Sequence, residues 1–140
     1  MDTPHYEVRM TADSHFSWLR TRLSLERTLM SWVRTAVALI GFGFTIVQFF
    51  DRLSNMEGVK PPLHPDLPRN LGLALIVTGI IALLVALWQY RAFIAYMRNA
   101  DFLPLAGVEV SHMKTPLFAV AVVLLLIGIV ALSSVLFRLT

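Results

Sequence analysis

Four arginines stand on one helical register in the first half of this chain. From Arg20, alternating steps of four and three residues reach Ser24, Arg27, Ser31, Arg34, Ala38, Gly41, Thr45, Gln48 and Arg52. Residues spaced in this way share one face of an α-helix. The positions between them are mostly Leu, Val, Ile, Phe and Met. Hydrocarbon can cover those apolar faces, but the polar seam calls for protein or water beside it. Gathered around an axis, such guanidinium groups would attract anions and repel cations.

Two arrangements satisfy this seam. In one, Arg34 lies about five residues inside a membrane span, roughly 7–8 Å of helix, and its side chain snorkels back to the headgroups. Arg27 and Arg20 then lie at or above the interface. In the other, copies of the chain assemble with the seam inward, and each arginine becomes part of a ring. Arg20, Arg27, Ser31, Arg34, Thr45 and Gln48 are then the candidates for anion binding or for lining a pore, with Gly41 and Gly43 allowing close packing.

Glu26 lies off the seam, one turn after Arg22. It suits a local or interhelical salt bridge at the membrane surface, or a pairing across a subunit boundary with Arg27 or Arg91. Being partly solvated, such a pair would fix register more than it would stabilise. His5, His15, His64 and His112 are scattered with no metal-ligand spacing, so no metal is expected. The sequence has no Gly-rich phosphate loop, nucleophile elbow or acidic dyad. We expect no enzyme activity, no cofactor and no nucleic-acid partner.

The elements that carry these residues follow from composition. The chain has 140 residues, no Cys, a formal charge of +3 and a mean hydropathy of +0.67. Leu29 to Phe50, Leu71 to Tyr90 and Leu117 to Phe137 are apolar runs of about 20 residues, the helical length that crosses about 30 Å of hydrocarbon. The fold class is therefore an all-α membrane protein with three transmembrane helices, the first extended at its cytoplasmic end. Residues 1–13 read as a cytoplasmic tail and 14–140 as the membrane domain. The polar start lacks the apolar core of a cleaved signal, so the first span serves as an uncleaved anchor.

Orientation follows from the basic residues. Arg9, Arg20, Arg22, Arg27, Arg34, Arg91, Arg98 and Lys114 fall on one side, against Arg52, Lys60, Arg69 and Arg138 on the other. This bias predicts a cytoplasmic amino terminus and a carboxyl terminus outside.

No Gly or Pro interrupts the chain from Ser14 to Gly41, and Asp13 or Ser14 can cap a helix there. Two courses remain open for the stretch before Leu29: straight continuation of the span, or a bend onto the membrane surface. Phe16 and Trp18 beside Arg20 and Arg22 suit an interfacial position. The proline-dense segment 60–68 reads as extended, with the second span starting near Pro68 or Asn70. Gly72, Gly79, Ala82 and Ala86 give that span a small-residue face that another helix can approach closely. Trp88 and Tyr90 mark its cytoplasmic interface, and the helix is expected to run on to about Asn99, with Pro104 and Gly107 breaking it. Thr115 and Pro116 open the third span, which reads as a lipid-facing outer helix.

The run Leu25-Glu-Arg-Thr-Leu-Met-Ser-Trp-Val-Arg-Thr35, followed by Gly41-Phe-Gly43, resembles the bacterial YidH-like inner-membrane proteins, a domain of unknown function. Glu26, Arg27, Thr28, Trp32, Arg34 and Thr35 match that family's pattern. Leu25 and Leu29 depart from its usual Asn and Phe. The same domain is similar to the membrane part of the vacuolar transporter chaperone subunits of yeast, which carry polyphosphate across a membrane through a basic pore in a ring of three-helix units. The resemblance implies that Arg27 and Arg34 line or gate an anionic path in an oligomer. It implies no polymer synthesis, because this chain has no catalytic domain.

Three functions follow. The first is an inner-membrane homo-oligomer whose inward seam meets an anion, such as a phosphate polymer or a lipid headgroup. The second is a non-transporting accessory or scaffold subunit of another membrane complex. The third is anionic-lipid binding by Arg20, Arg22, Arg91 and Arg98 without transport.

Overall fold

A computed structural model describes residues 9–60, 63–64, 66–98 and 116–137, and its elements are helices. They are α1 (Ala12–Ser54), α2 (Asp66–Met97) and α3 (Pro116–Phe137). All three are long and apolar enough to cross a membrane.

Helix α1 has 43 residues, or about 65 Å, twice the thickness of the hydrocarbon. It runs unbroken through the stretch before Leu29, so the straight course is the one adopted. Its N-cap is Thr11, whose side chain accepts from the backbone N–H of Ser14 at 3.2 Å. The cap thus lies ahead of Asp13 and Ser14. Asp13 falls instead in the first turn, where a carboxylate meets the positive end of the helix dipole.

Helix α2 begins at Asp66, inside the segment expected to be extended. Pro68 is compatible because the first-turn N–H groups of a helix have no internal partner to lose. The helix ends at Met97, two residues before Asn99. Pro116 opens α3 in the same way; Asn99, Pro104, Gly107 and Thr115 lie outside the described residues.

Helices α1 and α2 pack antiparallel in a heptad register. A Cβ on Gly43 would lie 2.6 Å from the carbonyl oxygen of Gly72, so the two backbones touch there. Seven residues along, a Cβ on Gly79 would lie 2.9 Å from the carbonyl oxygen of Ala36, which is fully buried. After another seven, Leu29 and Ala86 face the same cleft. The register holds to the far end, where the Trp18 indole Nε1 donates to the Met97 carbonyl at 3.4 Å. Small residues on α2 give this close approach, the usual device of membrane helix pairs.

Helix α3 lies over one side of this hairpin. Gly128 meets Ile40 and Ile80, and Phe118 stacks on Tyr90 with centroids 6.5 Å apart. Its buried residues are Ala121, Gly128 and Val135. Phe118, Val122, Leu125 and Leu132 are half-buried against the hairpin, while Val123, Leu126, Ile127 and Val130 on the far side are exposed, as expected of a lipid-facing helix.

Candidate functional site

The arginine seam lies on the outer face of α1. The residues of α1 that meet α2 fall at Leu29, Ala36 and Gly43, and the seam is displaced from them by two residues. At 100° per residue that is about 200° of rotation, so it faces directly away from α2. Arg20, Ser24, Arg27, Ser31, Arg34, Ala38, Gly41, Thr45 and Arg52 are exposed, and Gln48 is half-buried. Neither α2 nor α3 covers the row.

The threonines ask less of their surroundings than their polarity suggests. Thr28 donates to the carbonyl of Ser24 at 3.0 Å, Thr35 to that of Ser31 at 3.1 Å, and Thr45 to that of Gly41 at 2.8 Å. Each hydroxyl is satisfied within its own helix. The unmet demand of the outer face therefore rests on its guanidinium groups. The two glycines also divide. Gly43 is used inside the protomer against Gly72 and Leu75, while a Cβ on Gly41 would meet nothing within 4 Å.

Arg22 is the exception among the basic residues. It is only 8 % exposed, held between two turns of its own helix. Its guanidinium lies 5.8 Å from the centre of the Trp18 ring, and its Nε is 3.7 Å from Oε1 of Glu26. Glu26 thus makes the local pairing, one turn from Arg22. Trp18 is itself 7 % exposed and packs on Met97. Trp18 is thus covered by the end of α2 and Arg22 by its own helix neighbours, so neither is open on the outer surface. Arg22 accordingly drops out of the lipid-binding quartet, whereas Arg20, Arg91 and Arg98 are exposed.

The motif residues Thr28 and Trp32 line a cleft of about 50 Å³ with Leu25, Gln89, Tyr90 and Phe93. A wider groove of about 460 Å³ opens nearer the helix ends, between Ser14, Ser17 and Thr21 on α1 and Tyr96 and Met97 on α2. Sequence reasoning missed this region, although Trp18, Arg22 and Glu26 are spaced four apart and so form a ladder. Among the described residues no three His, Asp or Glu side chains gather to hold a metal ion.

Residues 20–96, more than half of the chain, match the domain of unknown function DUF202. The chain belongs to the DUF202 family. That match spans the α1–α2 hairpin from Arg20 to Tyr96, including the outer seam down to Arg52 and the α2 face that packs on α1. Helix α3 lies beyond it. The YidH-like resemblance carried by Glu26, Arg27, Thr28, Trp32, Arg34 and Thr35 agrees with DUF202 membership. No curated protein and no solved structure matches the chain. It is a small multi-pass membrane protein of the DUF202 family.

Proposed function

We propose that this protein is a non-enzymatic homo-oligomer of the inner membrane, with its amino terminus in the cytoplasm. Copies associate through α1 and present the Arg20, Arg27 and Arg34 side of that helix to an anion. One observation carries the reading: the polar row of α1 faces away from both other helices. A three-helix protomer with that face against lipid must carry the Arg34 charge back to the headgroups from about five residues inside the span, because a cation left in hydrocarbon is costly. Association gives the guanidinium groups a shared, hydrated surface with high positive potential. The anion is either a phosphate polymer or the headgroup of an acidic lipid.

Binding to acidic-lipid vesicles and to soluble polyphosphate, compared for the wild type and for Arg27→Glu and Arg34→Glu, tests the role. Loss of binding with insertion intact supports it, and unchanged binding defeats it.

The second reading, a scaffold subunit whose outer α1 face docks onto another membrane protein, uses the same exposed row. It differs in requiring the purified chain to be monomeric or heterogeneous in detergent.

A further inference from the structure

Beside the arginine row of α1, and sharing Ser24 and Ser31 with it, runs a second row offset toward the α2 groove; this inference rests on the self-association proposed above. Every third or fourth residue from Ser14 to Thr35 carries a hydroxyl: Ser17, Thr21, Ser24, Thr28 and Ser31 lie between. The row is about 30 Å long. Ser14 is half-buried and the rest are exposed. This is the spacing of the core positions of a coiled coil.

We propose that a second copy of this chain docks along the Ser14–Thr35 row, with the two α1 helices parallel and in register. Copies inserted with one topology share both direction and height, so the bilayer itself imposes the parallel arrangement. The symmetry axis then lies along the membrane normal. Three observations make the surface suited to a helix of its own kind.

The threonine hydroxyls of the row are already satisfied within the helix. Thr21, Thr28 and Thr35 each donate to the carbonyl of the serine one turn back, Ser17, Ser24 and Ser31, at 3.0, 3.0 and 3.1 Å. Covering these threonines leaves none of their donors orphaned, the serine hydroxyls between them are free to bond across the contact, and the small size of both lets backbones approach.

The surface is also concave. The 460 Å³ groove bordered by Ser14, Ser17 and Thr21 lies along the amino-terminal half of the row, and the cleft beside Thr28 continues it. Its far walls are Tyr96, 62 % exposed, and Phe93, 53 % exposed.

Finally, the flanks are complementary to each other. Taking the hydroxyls as core positions, one flank carries Arg20, Arg27 and Arg34, and the other carries Leu25 and Trp32, with Trp18 on the same register but buried on Met97. In a parallel coil a flanking residue meets the opposite flank of its partner five positions on. Arg27 then faces Trp32 of the second copy, and Arg20 faces Leu25 of the second copy. Trp32 is 44 % exposed, so its ring is open to a guanidinium. The arginines become the rim of the contact, Arg27 against the Trp32 ring and Arg20 against the Leu25 side chain, rather than forced against one another.

The natural chain has no cysteine, so single cysteines report cleanly. Ser24→Cys, Thr28→Cys, Ser31→Cys, Gly41→Cys and Val123→Cys variants would be oxidised in native membranes, with the mass of each detergent-extracted complex measured in parallel. The expected result is disulfide-linked dimer at Ser24, Thr28 and Ser31 and none at Val123, since same-site disulfides need Cα atoms within about 7 Å. Trp32→Ala and Arg27→Leu, each placed in the Thr28→Cys background, should lower that cross-linking several-fold, and together no further. A discrete oligomer cross-linking at Gly41 or Val123 but not at Thr28 would overturn this surface and leave self-association standing. A monomeric mass with no cross-link at any site would overturn both.

Discussion

Gly43 and Gly72 meet with their backbones in contact: a Cβ on Gly43 would lie 2.6 Å from the Gly72 carbonyl oxygen, and one on Gly72 would lie 2.7 Å from that of Gly43. Neither backbone can give way without separating the two helices. Gly43→Leu is therefore expected to destabilise by more than the ~1–3 kcal/mol of ordinary overpacking. Thermal unfolding in detergent checks this, with a large fall in midpoint for Gly43→Leu and for Gly79→Leu.

Gly41 gives the opposite expectation. A side chain there meets nothing within 4 Å in the protomer. Gly41→Leu should leave the unfolding of a detergent-diluted monomer unchanged while weakening association, if the outer face of α1 packs closely at mid-membrane. Size-exclusion chromatography across a detergent series separates the two effects.

The Trp18–Met97 contact governs the amino-terminal part of α1. Trp18→Phe removes one hydrogen bond, worth about 0.5–1.5 kcal/mol. Trp18→Ala also removes the ring from Arg22 and Met97, at a cost of about 3–5 kcal/mol, the range for a buried aromatic. Hydrogen exchange should rise locally around residues 12–22 and at the end of α2, and stay unchanged at Ile76 and Leu83, which are fully buried.

Reversing charge on the outer row should act on ligand binding and not on the fold. Arg27→Glu and Arg34→Glu are expected to lower affinity for acidic vesicles or polyphosphate at least tenfold at low salt, with the difference shrinking as salt screens the wild type. Pelleting assays at two ionic strengths read this directly. Arg22→Gln, by contrast, should mainly lower stability, because Arg22 is buried against Trp18 and Glu26.

Much of this architecture was legible in the residues. The three apolar runs locate the three helices, and Gly72, Gly79 and Ala86 announce the α2 face that α1 packs against. The outward placement of the arginine row follows from the same periodicity, since it lies two residues from the packing ridge. The N-cap was harder, because Thr11, Asp13 and Ser14 are all competent caps and only the bond from Ser14 N–H to Thr11 decides among them. The burial of Trp18 was illegible for a physical reason. An aromatic ring beside arginines looks the same at a lipid interface as under a neighbouring helix, and only the length of α2 distinguishes them. The start of α2 at Asp66 was obscured by a run of prolines that reads as extended until one of them falls in a first turn. The hydroxyl row from Ser14 to Thr35 was overlooked because serine and threonine carry little weight in a hydropathy pattern. Its meaning emerges only when the protomer leaves that side of α1 uncovered.

The account depends on the outer face of α1 being a contact between copies. Mass measurement of the protein extracted from native membranes into lipid nanodiscs or mild detergent tests this most directly. We expect a single discrete species at an integral multiple of the 15.7 kDa chain, converted to smaller species by Thr28→Trp. A 15.7 kDa monomer at every protein and detergent concentration would contradict it.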